Sequence, residues 1–217
     1  LTPHFRIEYQ SSGPDAPPAE DVSPANGVPD FVERTGEACE HSRSVEVDAL
    51  GYRAPAVPNG TQGRYVIQYQ AQSSYGYTTV ISAQVTMIVL NPNYIGFPTN
   101  DDPDGDVLGA LRIAVAHELK HAIQRMYSNW SEDSYLELDA TWIEDLVYDQ
   151  VNDFYNFIER DGSPFTAPYA SLVSVGAASY EDCNWEHYQT ERFGNDLMRT
   201  FWERRATIVE PPMNTYA

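Results

Sequence analysis

The chain has 217 residues, 42% of them hydrophobic and 12% aromatic, which is the make-up of a folded globular protein with material for one substantial core. Its 32 acidic residues against 13 basic ones leave a formal net charge of −19, a field that disfavours nucleic acid and anionic membrane surfaces as partners. No apolar run approaches the roughly 20 residues of a membrane-spanning helix, so no integral membrane segment is expected, and the acidic surface reads as a solvated shell.

From the N-terminus, HFRIEYQ carries an apolar face to bury, and the stretches SSGPDAPPAEDVSPANGVPD and YRAPAVPNGTQG are punctuated by proline and glycine. Between them a helix is predicted from 29 or 30 to about 43, so the first 62 residues form a looped lobe and not a disordered tail. RYVIQYQ alternates apolar and polar residues and TTVISAQVTMIVL is rich in β-branched residues; each reads as a strand. An acidic turn, TNDDPDGD, follows. From Val107 the pattern becomes helical, with helices predicted over about 107–127 and 134–157 and a pair in HYQTERFGNDLMRTFWERR, where Gly194 is the stop. Strands followed by helices predict an α+β fold, read as one domain with lobes of about 1–126 and 127–217. Cys39 and Cys183 lie 144 positions apart, which excludes a local CxxC site and leaves a disulfide or two buried thiols open. The chain opens on Leu1 without a basic, apolar leader, as a processed N-terminus would.

The chemistry concentrates in AVAHELKHAIQ. His117 and His121 are four residues apart, so on a helix both imidazoles project from one face, close enough to bind a single metal ion. Glu118 sits about 100° round, where it can reach a water beside that ion without being a ligand; this is the HExxH arrangement for a general base in zinc hydrolysis. Leu108, Leu111, Val115, Leu119, Ala122 and Met126 form an apolar back, so the helix is expected at the centre of the protein. The plainer alternative, two core histidines, would bury both rings and a glutamate, each needing its own partner. A catalytic zinc takes three protein ligands. In SYLELDATWIEDLVYD, Glu137, Thr141, Glu144 and Tyr148 share one face of an otherwise apolar helix, while Asp139 points almost the opposite way. The stripe alone leaves Glu137 and Glu144 open. Ser134 stands at capping-box spacing before Glu137, which would put Glu137 in the first turn and Glu144 about 10 Å further along the axis. Glu137 is therefore the expected third ligand, with Glu144 either behind a ligand or as its alternative.

HELKH followed by ELDATWIED resembles the gluzincin group of zinc metallopeptidases. Laid on the pattern E-G-x-A-x-x-x-E of its aminopeptidases, Glu137 matches the metal-binding glutamate, Ala140 the small residue and Glu144 the second acid, with Leu138 a departure from glycine. The HExxH-A-I-Q and A-T-W-x-E-D segments and the ERFG helix are also similar to those of secreted microbial peptidases. The resemblance implies a zincin-like fold, with a small sheet in the N-terminal lobe, a central HExxH helix and a mainly helical C-terminal lobe. It further implies a secreted enzyme acting on peptide or protein substrates, with Zn²⁺ held by His117, His121 and Glu137 and Glu118 as general base. The competing expectation is a non-catalytic extracellular binding module with a structural or vestigial zinc. Two weaker signals remain. Asp102, Asp104 and Asp106 cluster oxygen ligands as a Ca²⁺ loop does, though a plain acidic turn is the simpler reading and EDVSPANGVPD is a second turn of this kind. Tyr148, Tyr180 and His187 are candidates, with Tyr169 and Tyr188 behind them, for stabilising an oxyanion.

Overall fold

The computed structural model describes residues 1–132, 134–172, 179–208, 210 and 212–215. It is a mixed α+β structure built on a four-stranded sheet of order β1-β2-β4-β3. The strands are β1 (Phe5–Glu8), β2 (Tyr65–Tyr69), β3 (Gly76–Ser82) and β4 (Val85–Leu90). The first three in spatial order run parallel, and β3 closes the edge as an antiparallel hairpin with β4. TTVISAQVTMIVL is thus two strands and not one. The polar SAQ breaks the apolar run, the pairing is irregular between Val80 and Ser82, and Ala83 takes a positive φ of 46° to turn the chain.

Helix α1 (Asp30–Arg43) crosses over between β1 and β2 and runs on into a short π-helical turn, Ser44–Ala49. Helix α2 (Asp106–Gln124) packs against α1, β3 and β4. The sheet face bearing Tyr65, Ile67, Tyr69, Ile88 and Leu90 belongs to the same buried cluster as Leu111, Ile113, Val115, Leu119 and Ile123 of α2. Burial on nearly every side of α2 explains its composition: alanine at 110, 114, 116 and 122 lets neighbours approach, and every side chain there is fully or almost fully buried.

Helix α3 (Tyr135–Val147) lies along α2, followed by α4 (Tyr155–Ile158), a 3₁₀ turn (Tyr180–Cys183), α5 (Asn184–Phe193), α6 (Asp196–Arg205) and α7 (Pro212–Thr215). The helix expected over 134–157 is therefore two. Tyr148 leaves helical geometry at φ −135°, ψ 59°, and Asn152 takes φ 55°, a turn that sends Val151, Asp153 and Phe154 back into the interior. Ser134 makes no capping hydrogen bond, so the predicted capping box is not formed; α3 still opens at Tyr135 and keeps Glu137 in its first turn. Gly194, at φ 89°, does separate α5 from α6. Both Cys39 and Cys183 are free, buried thiols. Among the described residues no helix is long and apolar enough to cross a membrane.

Candidate metal centre

α2 and α3 bring His117, His121 and Glu137 together, with one donor atom of each within 4.8 Å of the others. The two Nε2 atoms are 3.0 Å apart, and Glu137 Oε2 lies 3.2 Å from His117 Nε2 and 3.5 Å from that of His121. Donors placed tetrahedrally about 2.0–2.1 Å from a zinc ion would stand about 3.3–3.4 Å from one another. The three separations bracket that value.

The outer ring nitrogens decide which atoms face inward. His117 Nδ1 is 2.6 Å from Glu144 Oε1, and His121 Nδ1 is 2.8 Å from Gln124 Oε1. The Gln124 amide is oriented from behind, since its Nε2 donates to Asp139 Oδ2 at 2.7 Å and to the Leu136 carbonyl at 3.0 Å. Its Oε1 must then accept, which puts the His121 proton on Nδ1 and leaves the Nε2 lone pair free. Glu144 does the same for His117. Two lone pairs and a carboxylate oxygen converging within hydrogen-bond distance repel one another unless a cation lies among them. The titration tendencies express that demand. Burial alone would lower the His117 pKa, yet Glu137 and Glu144 raise it well above the ordinary range, and His121 is raised by Glu137 against its own burial. Burial works to raise Glu137, but the two imidazoles hold its carboxyl far below the usual range, whereas burial carries Glu144 up to about 7 despite His117. These are the properties of a site that wants positive charge.

Asp139 also receives the Trp202 indole N–H at 3.0 Å, and its Oδ1 sits 3.2 Å from Lys120 Nζ, an ion pair without hydrogen-bond alignment. The only lysine of the chain is fully buried, with its ammonium 3.8 Å from the centre of the Tyr52 ring. Support for His121 thus runs through Gln124 and Asp139 to a charge on the far side of α2.

Glu118 is buried, and its Oε2 accepts from the Thr78 hydroxyl at 2.7 Å, while the same hydroxyl lies 2.8 Å from the Glu118 carbonyl oxygen. Gly76, two residues earlier on the same face of β3, makes room for it: a Cβ there would come within 3.1 Å of Glu118 Cγ and of the Val89 carbonyl oxygen. A cleft of about 360 Å³ opens over the group, lined by Gly76, Thr78, Glu118, Trp130 and Tyr180 beside the three donors. Trp130 donates its indole N–H to the His121 carbonyl at 3.0 Å. Tyr180 has its ring centre 5.9 Å from that of His117, and its phenol, raised by burial and then by Glu137, stays protonated.

Other expected residues lie elsewhere. Tyr148, turned out of line by the end of α3, donates to the Ala38 carbonyl at 3.3 Å and lines a separate groove with His41 and Arg112, and it lines neither cavity at the centre. His187 packs its ring against Phe154, 3.9 Å from Asp145, and lines neither cavity at the centre. Tyr169 and Tyr188 are exposed, and neither lines these cavities. The aspartates proposed for Ca²⁺ serve the fold: Asp102 takes Arg112 through both oxygens at 2.6 and 2.7 Å, Asp104 takes it at 2.6 Å, and Asp106 receives the Asn100 backbone N–H at the start of α2. A guanidinium already neutralises that turn. The second carboxylate turn is likewise occupied by the backbone, with Asp21 accepting from the N–H groups of Asn26 and Gly27 and Asp30 from those of Val22 and Ser23. Thr78, Gln124 and Trp130 were not among the expected site residues. Gln124 could have been found at its i+3 spacing from His121; Thr78 and Trp130 depend on tertiary contacts with no local signal.

No family model, curated protein or solved structure matches this chain.

Proposed function

We propose that the protein is a zinc-dependent peptidase of zincin-like architecture, with His117, His121 and Glu137 as the metal ligands and Glu118 as the general base. The observation that carries the reading is the convergence of two Nε2 lone pairs and Glu137 Oε2 at zinc-like separations, on the wall of a cleft that Glu118 shares. An ion bound there would supply Lewis-acid chemistry, polarising a substrate carbonyl and acidifying a water. Glu118, fixed through Oε2 by Thr78, keeps its other oxygen to take a proton from the attacking water and return it to the leaving amine. Tyr180 remains a phenol and can donate a hydrogen bond to the carbonyl oxygen as charge develops on it. Of the described strands, β3 has β4 on one side only, and its Gly76–Thr78 segment lines the cleft. An extended peptide can pair with such an edge.

A purely structural zinc is closed by four protein ligands, whereas three His and Glu side chains converge here among the described residues. The enzyme is therefore favoured over a binding module braced by metal. Elemental analysis of purified protein supplied with zinc tests the metal assignment. The reading expects about one zinc per chain, lost in a His117→Ala, His121→Ala double variant. Absence of bound transition metal from the wild type would end it.

A further inference from the structure

Beside the cleft lies a second cavity, of about 250 Å³, sharing Gly76, His117, Glu118 and Tyr180 with it. Its other walls are mostly apolar, with Ile113, Ala114, Tyr75 and Phe157. Two acidic residues also line it. Asp153 is only 2% exposed; its Oδ1 accepts from the Tyr75 hydroxyl at 3.2 Å and from Asn156, and its Oδ2 is buried with no partner. Glu144 gives Oε1 to His117 and leaves Oε2 buried with no partner. No arginine or lysine pairs with either among the described residues: Arg160 stacks over the Phe157 ring at 4.2 Å and donates to the Asn156 carbonyl. Burial drives Asp153 up to about 6. Two buried carboxylate oxygens without partners beside a largely apolar chamber are costly on their own, and an ammonium or guanidinium supplies the donors both lack.

We propose that this cavity is the side-chain pocket of the peptidase site and receives the lysine or arginine side chain of the substrate residue next to the scissile bond. The inference rests on the peptidase reading. Aliphatic methylenes would lie along Ile113, Ala114 and Phe157, and the cationic head would draw the lining carboxylates of Asp153 and Glu144 round, so that their buried, partnerless oxygens Oδ2 and Oε2 turn to meet it. The volume far exceeds what one bound water needs.

Calorimetric titration of the zinc-loaded protein with three small amides tests it without requiring turnover. Nα-acetyl-lysine amide carries a side-chain ammonium, leucine amide carries only an α-ammonium, and Nα-acetyl-norleucine amide carries neither. The expected result is that acetyl-lysine amide binds roughly tenfold or more tighter than acetyl-norleucine amide, the size of one charge-assisted hydrogen bond. Asp153→Asn, which keeps the side chain's shape, should reduce that ratio to near one without loss of zinc. Equal binding of the two acetylated amides overturns the proposal, as does an Asp153→Asn ratio equal to that of the wild type. Tightest binding of leucine amide overturns it too, because the cavity would then hold a peptide N-terminus. A peptide mixture run in parallel separates the two readings. Selective lysine binding without any cleavage refutes the peptidase and leaves the pocket, while cleavage with no enrichment of lysine or arginine beside the cut bonds refutes the pocket and leaves the peptidase.

Discussion

Replacing Lys120 with methionine removes the one cation on the inner side of α2 while nearly preserving the volume of the side chain. The ammonium is fully buried, 3.2 Å from Asp139 Oδ1 and 3.8 and 5.3 Å from the ring centres of Tyr52 and Trp142. Without it the Asp139 carboxyl stands in the interior with no ammonium beside it, near Glu186 and Glu46, which burial already raises well above the usual carboxylate range. Removing one partner of a buried ion pair costs about 3–5 kcal/mol. Asp139 keeps the Gln124 and Trp202 hydrogen bonds on its other oxygen, which places the expectation at the lower end, about 3 kcal/mol. For a chain of this size each kcal/mol moves the melting temperature by about 2–4 °C, so Lys120→Met should melt about 6–12 °C below the wild type. Thermal unfolding followed by circular dichroism reads this directly. A variant melting within about 2 °C of wild type, or above it, would show that the interior carboxylates do not depend on the lysine charge.

The metal ligands and their supports should separate in zinc titrations: Glu137→Ala abolishes tight binding, whereas Glu144→Ala, which only frees His117 Nδ1, weakens it about 10- to 100-fold; the reverse order would reassign the third ligand. Asp153, whose carboxyl burial moves from 3.8 to about 6, favours folding when protonated. Its contribution is complete below about pH 3.8 and is lost as pH rises through 6, so metal-free Asp153→Asn should gain melting temperature relative to wild type between pH 4 and 7; a pH-independent difference would contradict this. A net charge of −19 repels itself, so the melting temperature should rise from low to moderate salt, and a fall would show that self-repulsion does not limit stability.

Much of this was legible where local periodicity and chemistry agree. The HExxH spacing marked α2, and the polar stripe on the next helix singled out both glutamates, because helical geometry alone determines which residues share a face. The sequence did not reveal how the two acids divide the ring nitrogens of His117, since that depends on how α3 lies along α2. Tyr148 belonged to the stripe in projection, yet the helix ends beneath it and the side chain turns to α1. The acidic turn offered a cation loop as its weaker reading, but Arg112, nearly two turns into α2, fills it. Asp153 carried no signal at all: it enters the cavity only because Asn152 adopts a left-handed conformation that no apolar pattern announces.

Whether the centre is a zinc peptidase is decided by the rate at which zinc-loaded wild type and Glu118→Gln cleave a mixed peptide library, with zinc content measured on the same samples. The expected outcome is cleavage by the wild type that a chelator stops, and a Glu118→Gln protein that keeps its zinc but loses at least about a hundredfold in turnover, as removal of a general base does. Wild-type turnover in that variant would remove Glu118 from the mechanism, and no cleavage by the zinc-loaded wild type would contradict the peptidase assignment itself.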